Sequence, residues 1–415
     1  METTILLVNL KSKLPPKFQK YASFGIFPKL LFLPLALGFI ALILLLRPFV
    51  VIKFFKVNQW RIGHLLAEVE IVRLNALEAS KTKKHYVIYY FPERRMANEY
   101  AVQMWKRVLP TISGSWGWLV YTLGLKMSSK KLTCEPSHVD QLGLWGTYKT
   151  NLQFSEIETK QGEKFLTSIN CSDHNYVCLI VRDSTYLETI RKDKSFAFHD
   201  FRDADVRSYL QAAKQLTNLG YTVIRMGQIV GEPLRSDNPR IIDYATNGMR
   251  SEFLDVYLGA YCKFCISTGT GWDVIPTIFR RPVMYSNLLP IYAPSALSFP
   301  VIIHLKSLYD SKTKLELSLS QTIKRDIASM DTASGYQEAG VEIRDLSSEE
   351  LVEAVTEMAQ RVEGTFVETP EQKKMQAKLK HILSTHPKLQ PSPNYYPIRA
   401  EFASCFLSHH PHFLD

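Results

Sequence analysis

Apolar runs alternate with charged or glycine-containing breaks along most of the chain, and this alternation predicts an α/β fold. Residues 176–181 form a wholly apolar run of the kind that is buried in parallel sheets. Residues 221–225 and 262–267 predict further strands, and helical periodicity predicts helices over residues 206–219 and 251–259. This order favours a doubly wound parallel sheet, which binds ligands beyond the carboxyl ends of its strands.

The first half of the chain shows the same order on a smaller scale. A strand is predicted over residues 49–57 and a helix over residues 65–77, so Gly63 and His64 are expected in the loop at the strand end. We interpret His64 as a general base or a substrate contact, with Glu68 or Glu70 as the partner that orients it. A purely structural role for this histidine is the alternative.

Residues 30–46 are apolar and carry no charge, which predicts an N-terminal membrane helix. A buried helix of a soluble core is the alternative, and it is disfavoured because no polar face interrupts the run. A signal peptide is disfavoured because no small-x-small cleavage site follows the run. Lysine and arginine flank the segment on both sides, so the positive-inside rule does not assign its orientation. A hairpin-like insertion into one leaflet, bent at Pro28 and Pro34, would leave both flanks on the cytoplasmic side.

A loop of small residues after the strand at residues 262–267 is the most informative motif. A helix is predicted to follow it over residues 274–280, and glycines with free backbone N–H groups at such a junction are suited to a pyrophosphate. The loop lacks the Gly-Lys-Ser/Thr end of a Walker motif and the third glycine of the dinucleotide fingerprint, and a turn without a ligand is the alternative. The predicted donor-binding residues here are Ser267, Thr268, Gly269, Thr270, Gly271 and Asp273.

Arginines recur at the ends of the predicted strands and loops of the same region. A surface ion pair is the usual role of a single arginine, but their shared position favours a phosphate contact for at least one of them. Neighbouring polar and glycine residues are included in this predicted donor site. Its members are Arg182, Asp183, Arg202, Arg225 and Gly227.

The formal charge of +10 at pH 7 suits a phosphate-bearing ligand or an anionic membrane surface. Nucleic acid is disfavoured because no zinc-finger spacing, basic heptad region or aromatic RNA-binding strand is present. Six scattered cysteines are too few for a disulfide framework and indicate a reducing compartment. No Asp-x-Asp motif ends a convincing strand, since Asp203 and Asp205 are better interpreted as helix caps, so neither an obligatory metal nor a cofactor is expected.

These patterns divide the chain into five predicted segments. Within them, residues 110–161 and 292–318 are expected to be mainly loops, and the histidine-containing end is expected to be disordered. The segments are an N-terminal tail and membrane anchor at residues 1–47, an acceptor domain at 48–165, a nucleotide-sugar-binding domain at 166–345, terminal helices at 346–390 and a tail at 391–415.

Four stretches resemble bacterial glycosyltransferases of the two-Rossmann (GT-B) type, which are linked to surface polysaccharide clusters. They are RIGHL from Arg61, NEYAVQMWKRVLP from Asn98, YLQAAKQLTNLGYTVIRMG from Tyr209, and ISTGTGWDVIPTIFRRPVMYSN from Ile266. The resemblance implies two Rossmann-like domains facing a cleft, with the nucleotide of a sugar donor at residues 267–271. It also implies a glycan or lipid-linked acceptor. The predicted anchor indicates the bacterial inner membrane, and the free-thiol pattern favours catalytic domains in the cytoplasm.

Two other functions remain open from the sequence. A sugar-nucleotide epimerase uses a similar donor loop but has no need of a membrane anchor. A non-catalytic subunit of polysaccharide assembly would keep the fold without turnover.

Overall fold

The computed structural model describes residues 32–92, 96–137, 139–190, 195, 197–290, 300–386 and 399–415. The chain forms two compact units. One comprises Met1–Ala97 and Trp105–Ser137, and the other comprises Asn98–Met104 and His138–Asp415. Each is a mixture of helices and parallel strands, as the sequence predicts, whereas the facing arrangement of two domains stays a prediction.

The first unit contains a parallel sheet of three strands in the order β1-β2-β3. Side-chain alternation along β1 places Phe54 in a cluster with two helices, α1 and α4, while Phe55 contacts the ring of Tyr89. The elements from the start of the described chain are α1 (Leu33–Leu46), β1 (Val51–Lys56), α2 (Ile62–Ala79), β2 (His85–Phe91), α3 (Glu99–Val108), β3 (Thr111–Ser113) and α4 (Gly114–Leu132).

The predicted membrane segment corresponds in the structure to α1, which has 14 residues. Its buried positions Ala36, Ile40 and Ile43 recur at helical spacing and pack in one cluster with Leu119 and Val120 of α4. In the described part of the chain, no helix is long and apolar enough to cross a membrane. The expected transmembrane helix is therefore not supported.

The second unit is built on a seven-stranded sheet in the order β12-β9-β8-β7-β4-β5-β6, with parallel neighbours throughout. A separate antiparallel pair, β10 and β11, lies outside it. The strands are β4 (Tyr176–Ile180), β5 (Thr222–Arg225), β6 (Ile241–Ile242), β7 (Phe264–Ser267), β8 (Val283–Leu288), β9 (Val301–Leu305), β10 (Ser307–Asp310), β11 (Val341–Arg344) and β12 (Glu401–Phe402).

Helices connect most of these strands and follow the last long one. Every residue of β4, β5 and β7 is buried, which is why these strands read as apolar runs without alternation. The helices are α5 (Glu156–Ser168), α6 (Thr185–Ile190), α7 (Leu210–Asn218), α8 (Glu252–Tyr261), α9 (Val274–Ile278), α10 (Leu319–Lys324), α11 (Ala333–Glu338), α12 (Ser348–Glu363), α13 (Pro370–Thr385) and α14 (Ser404–His409).

Two regions expected to be loops contain regular structure. Residues 110–161 include the 19-residue α4 and the start of α5, and residues 292–318 include β9 and β10. Helical periodicity is weak in α4 because apolar residues also occupy its exposed face, as at Trp118. The start of α5 had a readable signal, since Ser155 and Glu158 form a reciprocal capping box.

The described end of the tail, residues 399–415, is ordered, so the expected disorder is wrong for these residues. β12 pairs with β9, and Phe402, Phe406, Leu407 and Phe413 are buried. Burial of four apolar side chains supplies the stabilisation that a solvated tail would lack. The rest of the predicted tail lies outside the described residues.

Candidate functional site

The strand order of the second unit creates a switch point between β4 and β7. From β4 the chain proceeds to β5 and β6 on one side, whereas from β7 it proceeds to β8 and β9 on the other. The crevice at the carboxyl ends of two such strands is the usual ligand site of a doubly wound sheet. The residues that follow β4 and β7 therefore define the candidate site.

Arg182 and Thr268, which follow these two strands, are joined directly. The backbone N–H of Arg182 donates to the Thr268 hydroxyl oxygen at 2.8 Å. The Arg182 Nε donates to a carboxylate oxygen of Asp203 at 2.9 Å. The structure thus brings together two predicted donor residues, and it gives one of them a carboxylate partner.

Arg202 is the second predicted arginine at this point, and its surroundings are different. Its guanidinium donates to the carbonyl oxygen of Gly269, in the loop after β7. Burial and the neighbouring charge of Arg182 lower the pKa of Arg202 to about 10, so the side chain is still protonated at pH 7. Within the described residues, its buried Nε has no hydrogen-bond partner and no carboxylate forms an ion pair with it.

The loop after β7 is held together largely by its own polar groups. Asp273 accepts from the Ser267 hydroxyl at 2.6 Å and from the Thr270 N–H at 2.7 Å, and the Gly269 N–H donates to the Ser267 oxygen at 3.0 Å. Burial raises the pKa of Asp273 to about 6. Two of the N–H groups expected to face a phosphate are therefore occupied within the chain.

The predicted helix after the loop is also shorter than expected. It spans Val274–Ile278, five residues, and its N-cap side chain makes no capping hydrogen bond. Such a short helix contributes little dipole to an anion site, so the arginines carry more of the proposed role than the sequence indicates. The Thr270 hydroxyl is buried without a partner among the described residues, while Gly271 is exposed.

Lys306 belongs to the same cluster and was missed from the sequence. It follows β9, is 4% exposed, and its Nζ lies 2.6 Å from the Asp203 carbonyl oxygen and 2.8 Å from an Asp345 carboxylate oxygen. The available signal was the apolar run of β9 ending in a lysine, the pattern that identified Arg182. Lys306 adds a third cation around Asp203.

Arg225 and Gly227 follow β5 and serve another part of the unit. Arg225 is fully buried and donates to an Asp243 carboxylate oxygen and to the Glu232 carbonyl oxygen, both at 3.1 Å. A Cβ at Gly227 would lie 2.6 Å from a Val230 methyl carbon, so this glycine permits a close backbone approach. Neither residue makes a contact with the loop after β7 in the hydrogen bonds described.

Asp183 also organises the backbone. Its carboxylate accepts from the N–H of Thr185 at 3.0 Å and from that of Gly231 at 3.1 Å. It joins the turn after β4 to the loop after β5. This arrangement leaves Arg182, Arg202, Lys306 and the loop from Ser267 to Asp273 as the core of the candidate site.

In the first unit, Gly63 and His64 lie in the first turn of α2 and not in a loop before it, because the helix begins at Ile62. His64 Nδ1 and a Glu68 carboxylate oxygen are 2.6 Å apart, one helical turn from each other. Glu70, the other carboxylate near His64 in sequence, is instead bonded to Arg73. The predicted pairing of His64 with Glu68 is confirmed, and their catalytic role stays a prediction.

No protein-family model and no curated protein matches this sequence. Among solved structures, the chain is similar to a family 9 glycosyl transferase from Veillonella parvula, with 11% identity, a TM-score of 0.41, and coverage of 75% of this chain and 96% of that one. It is also similar to the E. coli ADP-heptose LPS heptosyltransferase II, with 14% identity, a TM-score of 0.36, and coverage of 61% and 90%. A third is POFUT1 in complex with GDP-fucose, with 11% identity, a TM-score of 0.31, and coverage of 61% and 97%.

Proposed function

We propose that this chain is a glycosyltransferase that moves a sugar from a nucleotide-activated donor to a hydroxyl group of a surface-glycan or lipid-linked acceptor. The observation that carries the proposal is the environment of Arg202. A half-buried guanidinium that pairs with no carboxylate among the described residues, at the switch point of a parallel sheet, is suited to an anionic ligand. The diphosphate of the donor supplies that anion.

The reaction places negative charge where these cations lie. The acceptor oxygen forms a bond to the anomeric carbon, the bond from that carbon to the diphosphate oxygen breaks, and its electron pair leaves with the nucleoside diphosphate. Preorganised cations that meet this growing charge lower the barrier. Arg202 would bind the diphosphate directly, while Arg182 and Lys306, each paired with an aspartate, would add to the positive potential.

The acceptor hydroxyl must lose its proton in the same step, and His64 is the proposed base. A carboxylate at Nδ1 holds the imidazole in the form that carries a proton on this atom, so Nε2 can accept one. Glu68 would then stabilise the imidazolium that forms. Its side chain is only 7% exposed, which limits competition from water.

We also propose that turnover needs no divalent cation, because the three basic side chains supply the positive charge that a metal gives to other transferases. Activity is then expected to persist in a chelator. A loss of activity in a chelator that Mg²⁺ or Mn²⁺ restores would contradict this part of the proposal without removing the transferase.

The donor site is tested by thermal shift of the full chain with UDP, GDP, TDP, ADP and CMP. A ligand that binds only the folded state raises the melting temperature by mass action. We expect a shift with at least one of them and its loss in Arg202→Gln. The matched control is Arg207→Gln, whose guanidinium is exposed and paired with Asp205, and it is expected to keep the shift. Absence of a shift with all five would favour a non-catalytic subunit.

The base is tested by His64→Asn, which we expect to reduce transfer at least 100-fold while nucleotide binding is kept. His174 offers a close control, since its Nε2 lies 3.0 Å from Glu163 and its side chain is 31% exposed, against 32% for His64. His174→Asn is expected to transfer at the wild-type rate. Equal rates in the two variants would remove His64 from the mechanism.

A further inference from the structure

The outward face of α1 is apolar along its whole length. Leu35, Leu42 and Leu45 recur at helical spacing and are 64%, 50% and 74% exposed, and Phe49, just beyond the helix, is 80% exposed. The opposite face is buried against α4 and β1. A surface helix of a globular protein normally presents charged residues on its outer side, so this face calls for a covering partner.

The neighbouring helix α4 also exposes apolar side chains. Its exposed side chains include Trp118, Leu125 and Met127, which are 41%, 46% and 50% exposed. Tryptophan is typical of membrane interfaces, because its ring is apolar and its N–H is polar. We refer to these three residues, together with the exposed residues of α1 and Phe49, as the apolar face.

Basic residues lie at the end of α1 and of α4. Arg47, at the end of α1, donates to the Lys131 carbonyl oxygen at 3.0 Å, and Lys83 donates to the Arg47 carbonyl oxygen at 2.5 Å. Lys130 is exposed next to Lys131. In the sequence, neither α1 nor α4 contains an aspartate or glutamate, and no acidic residue occurs from residue 3 to residue 67.

We propose that the apolar face is a membrane-binding surface that inserts into one leaflet of an anionic lipid bilayer, with the basic end of α1 at the headgroups. An apolar helix face bordered by Lys and Arg is the combination that binds such an interface, where burial and charge attraction add. This arrangement differs from the expected transmembrane helix, because α1 and α4 lie at the bilayer surface and keep their packing. The charge pattern favours lipid over a second copy of this basic chain.

Flotation of the full chain with lipid vesicles tests the proposal. We expect binding to vesicles of phosphatidylcholine with phosphatidylglycerol, and much weaker binding to phosphatidylcholine alone. Leu42→Asn with Leu45→Asn is expected to weaken binding more than tenfold, since two apolar anchors are lost. Lys130→Gln with Lys131→Gln is expected to weaken binding to the anionic vesicles about 30-fold.

The matched control uses exposed apolar residues of the second unit. Leu315→Asn and Val367→Asn replace side chains that are 69% and 83% exposed, and they are expected to leave flotation unchanged. Circular dichroism should show that all variants keep the fold, because each replaced side chain is already in water. The proposal is overturned if the wild type does not float with anionic vesicles, or if flotation survives the leucine substitutions. A dimer in solution that those same substitutions dissociate would also overturn it.

Discussion

Arg225 is fully buried and Arg202 is half-buried in the same sheet unit, and the two arginines have different electrostatic surroundings. Arg225 is bonded to the carboxylate of Asp243, which also accepts from the Leu234 N–H at 2.8 Å. Arg202 is bonded to a carbonyl oxygen, and its pKa is lowered by burial and by a second cation nearby, Arg182. A position at a strand end is thus shared by a structural arginine and a candidate ligand-binding one. The two roles are distinguished by the hydrogen-bond partner of the guanidinium, which is a carboxylate for Arg225 and a carbonyl oxygen for Arg202.

The largest loss of unfolding free energy is expected at Arg225, because its guanidinium is paired with a carboxylate. Arg225→Met leaves the Asp243 carboxylate, whose side chain is 11% exposed, without its cation. Removing one member of a buried pair costs about 3–5 kcal/mol of unfolding free energy. Urea denaturation measures this loss. The control Arg207→Met removes an exposed ion pair and should have little effect on the unfolding free energy. Equal losses in the two variants would mean that Arg225 is not a structural cation.

In the ligand-free protein, Arg202→Met is not expected to cause the large loss of unfolding free energy that Arg225→Met causes. Because the guanidinium is half-buried near Arg182 and pairs with no carboxylate among the described residues, its removal should leave the unfolding free energy within about 1 kcal/mol of the wild type, or raise it. Urea denaturation without nucleotide is the measurement. A loss similar to that of Arg225→Met would show that Arg202 is structural, and the donor site would then lose its main support.

The sequence was sufficient to predict the individual buried strands and the charged residues at their ends. Residues 176–181 and 262–267 were identified because strands buried on both faces must be apolar, and charges then mark their ends. β9 was missed because Val301–Leu305 follows a proline and a serine-containing stretch, and its place in the sheet depends on pairing with β8. Lys306 directly follows this strand and was therefore also missed.

The internal bonding of the loop after β7 could not be read from its residue types. Backbone N–H groups in a Ser-Thr-Gly-Thr-Gly loop can meet a ligand phosphate or a carboxylate of the same chain. Asp273 takes the second role because the short helix turn brings it back to Ser267 and Thr270. The sequence contains the donors and the acceptor, but their distances are set by the tertiary structure.

His410 extends the comparison to a buried cation between two carboxylates. Its Nδ1 lies 2.7 Å from Glu316 and its Nε2 lies 3.0 Å from Glu350. Burial lowers the pKa of His410, but the hydrogen bonds to Glu316 and Glu350 outweigh it and raise the pKa to about 9. Since the folded pKa lies above the ordinary value of 6.5, the stabilisation is complete below about pH 6.5 and is lost as the pH rises through about 9.

His410→Gln should therefore cost about 2 kcal/mol of unfolding free energy at pH 6 and much less at pH 9.5. Denaturation at the two pH values checks this. The control His412→Gln replaces a side chain that is 81% exposed and pairs with Asp415, and it should have little effect at either pH. A cost that does not depend on pH would show that His410 is held for its shape and not its charge.

Two glycine substitutions distinguish the effect of backbone strain from the effect of contact with Arg202. Gly269 and Gly248 both have φ of +80°, but a Cβ at Gly269 would lie 3.1 Å from a Leu288 methyl carbon and 3.5 Å from a guanidinium nitrogen of Arg202, whereas one at Gly248 would have no atom within 4 Å. Each change to alanine should cost about 1 kcal/mol, because a side chain is strained in the left-handed region. Only Gly269→Ala should also weaken nucleoside diphosphate binding several-fold in the thermal-shift titration, since its new methyl group contacts Arg202 at the proposed diphosphate site. Equal nucleotide affinity in the two variants would place the diphosphate away from Gly269 and Arg202.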